Sequence, residues 1–89
     1  MKYSLTWSKK AEDALGAAWL SASSEQRQII TITTRAIERE LEVRPKDVGE
    51  SRPDGRRMAI SLPVALIYQV FEDDMLVRVE AFRLVPRHR

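Results

Sequence analysis

The run Ser61-Leu-Pro-Val-Ala-Leu-Ile-Tyr-Gln-Val-Phe71, closed by the acidic turn Glu72-Asp73-Asp74 and followed by a second apolar run from Met75 to Val85, decides the fold. Val64 to Phe71 is dense in β-branched and aromatic residues, which suit a pleated surface better than a helix. Three consecutive acids end it. The returning run places Val77, Val79 and Ala81 on one side and Arg78 and Glu80 on the other, the period of a strand with one buried and one wet face. The two runs therefore read as an antiparallel hairpin. Just upstream, Met58, Ile60 and Leu62 alternate with Arg57, Ala59 and Ser61, which adds a third strand over Arg56 to Leu62. Pro63 has no N–H for a ladder and marks the turn or edge between them.

Toward the N-terminus the period changes. Lys2 to Trp7 alternates, with Tyr3, Leu5 and Trp7 on one face, and reads as a half-buried strand. Ser8 then suits a helix N-cap, and Ala11, Ala14, Leu15, Ala18 and Trp19 recur at helical spacing. Ser21-Ala22-Ser23-Ser24 interrupts that helix, and Ser23 with Gln26 fits a capping box that starts a second one. The second helix is expected from Ser24 to Glu42, with a stripe of Ile29, Ile32, Ala36 and Ile37 and with Ile30 and Leu41 at its margins. The β-branched run Ile29 to Thr34 opposes a helix by propensity, but periodicity and the cap outweigh it. Pro45 ends the helix, and Lys46 to Gly55, with Gly49, Pro53 and Asp54-Gly55, reads as a connector.

The resulting order is strand, helix, helix, strand, strand, strand. It is an α+β arrangement in which a helical hairpin lies across one face of an antiparallel sheet. Its 89 residues make one domain, 1–89, too small for a second core. With 44% hydrophobic and 31% charged residues, the composition is that of a folded protein and excludes a low-complexity chain. Cysteine is absent, which excludes disulfides and thiolate metal sites. No apolar leader or membrane-spanning segment is apparent, so a soluble intracellular protein without membrane contact is the expectation.

Net charge is +2, too small for nucleic-acid binding by the whole surface. The basic residues are unevenly placed, however. Beyond the acidic turn, Arg78, Arg83, Arg87 and Arg89 oppose only Glu80, and a second basic pair, Arg56-Arg57, precedes the first arm of the hairpin. They serve either to protect a sheet edge or to bind an anionic partner. Arg83 is adjacent to Phe82 on a strand, and its fork suits phosphate or carboxylate. His88 is the single histidine and sits beside the C-terminus, where a solvated tail residue is the expectation. Tyr68 reads as a packed strand aromatic. Trp7 and Trp19 read as covers for the seam between helices and sheet, or as partner anchors where exposed. Glu72-Asp73-Asp74 has no further ligands near it in sequence, so no metal site is expected. No phosphate-binding loop or nucleophile–base pair is present.

Three segments carry a family resemblance: Leu5-Thr-Trp-Ser-Lys-Lys-Ala-Glu-Asp-Ala-Leu15, Ala36-Ile-Glu-Arg-Glu-Leu41, and Pro63-Val-Ala-Leu-Ile-Tyr-Gln-Val70 with its acidic turn. In their order, spacing and total length the chain resembles the RelE/ParE superfamily of type II toxins, the plasmid stabilization family. The resemblance implies a RelE/ParE-like fold and a small cytoplasmic toxin that inhibits growth, needs no cofactor, and is neutralised by a cognate antitoxin wrapped around it. Branches of the superfamily differ in target. RelE-like members cut messenger RNA on the ribosome by activating the ribose 2′-hydroxyl against the adjacent phosphate, whereas ParE-like members inhibit DNA gyrase.

Cleavage needs cations for the phosphate and an acid–base group for the leaving oxygen. Arg56 matches one basic position of the RNA-cleaving members, but the next is Met58, and Ala65 replaces the hairpin arginine. Arg83 lies near the basic position of the last strand but out of register, and no tyrosine follows it in Val85-Pro-Arg-His-Arg89. The resemblance thus implies a ParE-like toxin that binds its target. The alternatives are a ribosome-dependent endoribonuclease with a rearranged set, Arg56, Arg83 and His88 being catalytic, or a degenerate binding module, including a homodimer. Arg57, Arg78, Arg87 and Arg89 are the expected anion- or target-binding residues, and Trp7 and Trp19 the expected partner contacts.

Overall fold

The computed structural model describes residues 2–86. Its elements are β1 (Ser4–Trp7), α1 (Lys9–Ser21), α2 (Ser24–Val43), α3 (Pro45–Val48), β2 (Glu50–Ser51), β3 (Arg57–Ser61), β4 (Val64–Phe71) and β5 (Leu76–Leu84), with single 3₁₀ turns at Pro53–Gly55 and Glu72–Asp74. The caps form as their residues dictate. The Ala11 N–H donates to Ser8 Oγ at 3.1 Å. At the second helix, Gln26 N–H donates to Ser23 Oγ at 3.2 Å and Ser23 N–H donates back to Gln26 Oε1 at 3.0 Å. This reciprocal pair leaves the β-branched run Ile29 to Thr34 wholly helical.

The buried stripe of α2 is Ile30, Thr34, Ile37 and Leu41, while Ile29 and Ile32 are exposed. The expected stripe was thus rotated by one residue. Ile29-Ile30-Thr31-Ile32 offers apolar groups to several faces, and the position that completes the true stripe is a threonine. The connector after α2 also differs from expectation. Pro45 opens α3 at its first turn, where a missing N–H costs nothing, and β2 pairs antiparallel with Arg57 and Met58. Tyr68 Oη donates to Pro45 O at 2.6 Å within the core, pinning α3 over the sheet. Gly49 is required by this approach: a Cβ there would lie 2.6 Å from Met58 O and 2.7 Å from Tyr68 Oη.

The sheet has five strands in the order β1-β5-β4-β3-β2. The meander β3-β4-β5 is antiparallel throughout, as expected. β1, however, joins β5 in parallel, so the sheet is mixed and not purely antiparallel. Strand periodicity carries no information on which neighbour a distant strand takes, or in which direction. The core lies between one sheet face and the helices. Val64, Leu66 and Tyr68 of β4, Val77, Val79 and Phe82 of β5, and Ala59 of β3 meet Ala11, Ile30, Ile37 and Leu41.

One irregularity sets the other face. Ile67 pairs with Ala81 but Tyr68 pairs with Val79, so Glu80 is an extra residue on β5 opposite the Ile67–Tyr68 step. A bulge of this kind turns two successive residues to one side. Ala81 therefore leaves the core face on which alternation placed it, and Phe82 takes that place, with its ring 6.4 Å from that of Trp7. By the same step Arg83 moves from the core side to the side of Arg78.

Candidate functional site

The sheet face turned away from the helices is built in rows. Ile60, Ala65 and Arg83 form one row across β3, β4 and β5, and Met58, Ile67 and Ala81 the next. Thr6, Arg78 and Gln69 form a further row through β1. Ala65 is almost wholly buried in its row, between Ile60 and Arg83. Below these rows lies a cleft of about 730 Å³ lined by Ser8, Lys10, Asp54, Arg56, Ile67, Arg78, Glu80 and Ala81.

Glu80 organises that cleft. Arg56 Nε donates to its Oε1, and Arg78 Nε lies 3.4 Å from its Oε2. Asp54 adds a looser contact, 3.8 Å from Arg56. The hydrogen bond from Arg56 to Glu80, and then the Coulomb attraction of the same carboxylate, hold the guanidinium pKa above its ordinary value. The Glu80 main chain is anchored as well, since Ser8 Oγ donates to its carbonyl at 3.3 Å. Arg78 in addition stands 5.0 Å over the Phe71 ring, a cation–π contact. Arg83 is exposed and has no ion-pair partner among the described residues.

The remaining sequence candidates are dispersed. Arg57 pairs with Tyr68 and so lies on the core side of β3, where it donates to Gly49 O and, at 3.0 Å, to Ser51 Oγ. There it braces the β2–β3 loop and lines, with Arg56, Arg52 and Lys46, a separate cleft of about 400 Å³ that does not include Arg78. Arg87, His88 and Arg89 lie outside the described residues. The sequence reading missed Glu80 as the hub. Arg78 and Glu80 at i and i+2 on a strand signalled half of the cluster, but Arg56 reaches it only through the register of three strands. Among the described residues no group of His, Cys, Asp and Glu could hold a metal ion. Two arginines around a carboxylate form a charge-paired cluster that can engage an anion through the guanidinium N–H groups not turned to Glu80.

The helix side carries a second kind of surface. Trp7 Nε1 donates to Glu38 Oε2 at 2.8 Å, so Trp7 ties β1 to α2. Trp19 is 41% exposed, with the Arg27 guanidinium 4.4 Å from its ring centre. Arg27 also donates to the carbonyls of Trp19 and Leu20, which closes the end of α1. Nearby, Ala18, Ala22, Ile29, Pro63 and Leu84 help line an apolar groove of about 530 Å³ between the helical hairpin and the end of β5.

This architecture is that of the RelE/ParE toxins. The chain is similar to the toxin–antitoxin complex RelBE2 from Mycobacterium tuberculosis, with a TM-score of 0.76 and 16% identity over 94% of this chain and 92% of that one. It is similar to the chromosomal ParDE toxin–antitoxin system of P. aeruginosa, with a TM-score of 0.72 and 17% identity over 94% and 97% of the two chains. The isolated E. coli RelE toxin matches with a TM-score of 0.63 and 20% identity over 98% of this chain and 88% of that one. No family model and no curated protein matches the sequence. No helix among the described residues is long and apolar enough to cross a membrane.

Proposed function

We propose that the protein is the toxin of a type II toxin–antitoxin system, held inactive in the cytoplasm by a cognate antitoxin and acting by binding an essential target, DNA gyrase, without cutting RNA. The observation that carries this reading is the far face of the sheet. Met58 and Ala65 stand where the RNA-cleaving members of the superfamily carry cations, and Arg56 and Arg78 are both paired to Glu80. The RelE/ParE fold supports the toxin class, and the solved RelBE2 and ParDE structures are toxin–antitoxin assemblies. The antitoxin seat that fits best is the apolar groove beside Ile29 and Leu84, flanked by exposed Leu20 and Trp19. An amphipathic helix laid there buries apolar surface that the monomer leaves wet.

Induction in a bacterial host tests this reading: growth should stop, and co-expression of the small gene beside it should restore growth. Continued growth in several hosts contradicts it. One observation favours a second reading. Arg83 is exposed on the same face as Arg78 and, among the described residues, forms no ion pair, so an endoribonuclease using Arg56, Arg83 and His88 is the competing hypothesis. Primer extension on messenger RNA after induction separates the two. Codon-positioned cuts that vanish in Arg83→Ala support cleavage.

A further inference from the structure

We propose that Glu80 is a specificity-determining residue: its carboxylate fills, as an internal counter-anion, a two-arginine cleft shaped for a phosphodiester, and so closes this face to single-stranded nucleic acid. Each Glu80 oxygen faces one guanidinium, Oε1 that of Arg56 and Oε2 that of Arg78. Two arginines divided between two oxygens of one anion is also the way such forks hold a phosphodiester. The cleft has room for a phosphate and its sugar, and Lys10 and Ser8 line the same wall.

Three features keep the carboxylate in place. The bulge turns Glu80 and Ala81 together toward the cleft. Ser8 Oγ fixes the Glu80 carbonyl at 3.3 Å. The Glu80 side chain is only 17% exposed, against 41% and 45% for its two arginines, so the acid sits beneath the cations and not among solvent. An incoming phosphate therefore meets a fixed like charge and two guanidiniums already engaged, a repulsive element that excludes one ligand class. The inference goes beyond the toxin reading and does not depend on it, because it concerns binding by the isolated protein.

The test is fluorescence anisotropy with a short labelled single-stranded oligoribonucleotide, on the wild type and on Glu80→Gln, across a salt series. Glutamine keeps the size and an acceptor oxygen but removes the charge. Glu80→Gln should bind about tenfold more tightly at low salt, and its log–log salt slope should steepen by about 1.4, the increment for two added phosphate contacts on a single strand. Adding Arg56→Gln and Arg78→Gln should abolish the gain. Affinity within about twofold of wild type in a variant that melts normally overturns the proposal, as does a gain that survives loss of both arginines. Should Glu80→Gln fail to fold, the wild type itself decides. The Arg56 Nε–H resonance should stay fixed during titration with inorganic phosphate, and a saturable shift overturns the proposal.

Discussion

The two faces of the sheet solve opposite problems with residues from the same strands. On the helix side, Leu66, Tyr68, Val77 and Val79 are fully buried, and the hydroxyl among them, that of Tyr68, has a carbonyl partner. On the far side, small and apolar residues alternate with arginines; Arg78 and the neighbouring Arg56 share the Glu80 carboxylate, while Arg83 forms no ion pair among the described residues. The first face specifies the fold and tolerates little. The second leaves Ile60 and Arg83 exposed, and substitutions there are expected to cost little stability. A surface that the core does not constrain can vary in what it binds while the fold stays the same.

If the division is real, substitutions on the two faces should differ sharply. Leu66→Ala leaves a cavity under the helices and should cost about 2–5 kcal/mol, seen as a large fall in the urea midpoint. Ile60→Ala in the exposed row should cost less than about 1 kcal/mol. Equal losses at both positions would erase the comparison. Next in size, Tyr68→Phe strands the Pro45 carbonyl and should cost about 1–3 kcal/mol, with the greatest rise in amide exchange over α3. Ser23→Ala removes the capping box of α2 and should cost about 1 kcal/mol in the same denaturation assay.

The smallest effect concerns an exposed pair. Lys46 bonds Glu72, and that hydrogen bond, followed by the Coulomb attraction, raises the lysine pKa above 10.5. A raised folded pKa contributes stability that is fully present below 10.5 and fades as pH climbs through the folded value. The stability difference between wild type and Lys46→Met should thus be small, constant across neutral pH, reduced by salt, and gone only in strong alkali. A change near neutral pH would show that another group controls it.

Much of the fold is legible in the sequence. The meander followed from alternation on either side of the Glu72-Asp73-Asp74 turn, and both helix starts followed from Ser8 and from Ser23 with Gln26. Those signals are local, and local chemistry decides them. What escaped the sequence depends on register or on distant neighbours. The parallel docking of β1, the one-residue rotation of the α2 stripe, and the strand β2 all needed tertiary partners. The bulge at Glu80 mattered most, since one unpaired residue carries Ala81 and Arg83 to the far face. The ion pair between Arg56 and Glu80 joins residues 24 apart, and no spacing rule predicts it. Of the expected binding arginines, Arg57 braces a loop, and Arg87 and Arg89 lie beyond the described residues with His88.

A gyrase assay with purified protein tests the central claim most directly. Added to gyrase, ATP and relaxed plasmid, the protein should block supercoiling and accumulate cleaved DNA, while ribosomes programmed with messenger RNA keep their message intact. Undisturbed supercoiling together with codon-positioned cuts in the message would contradict the account.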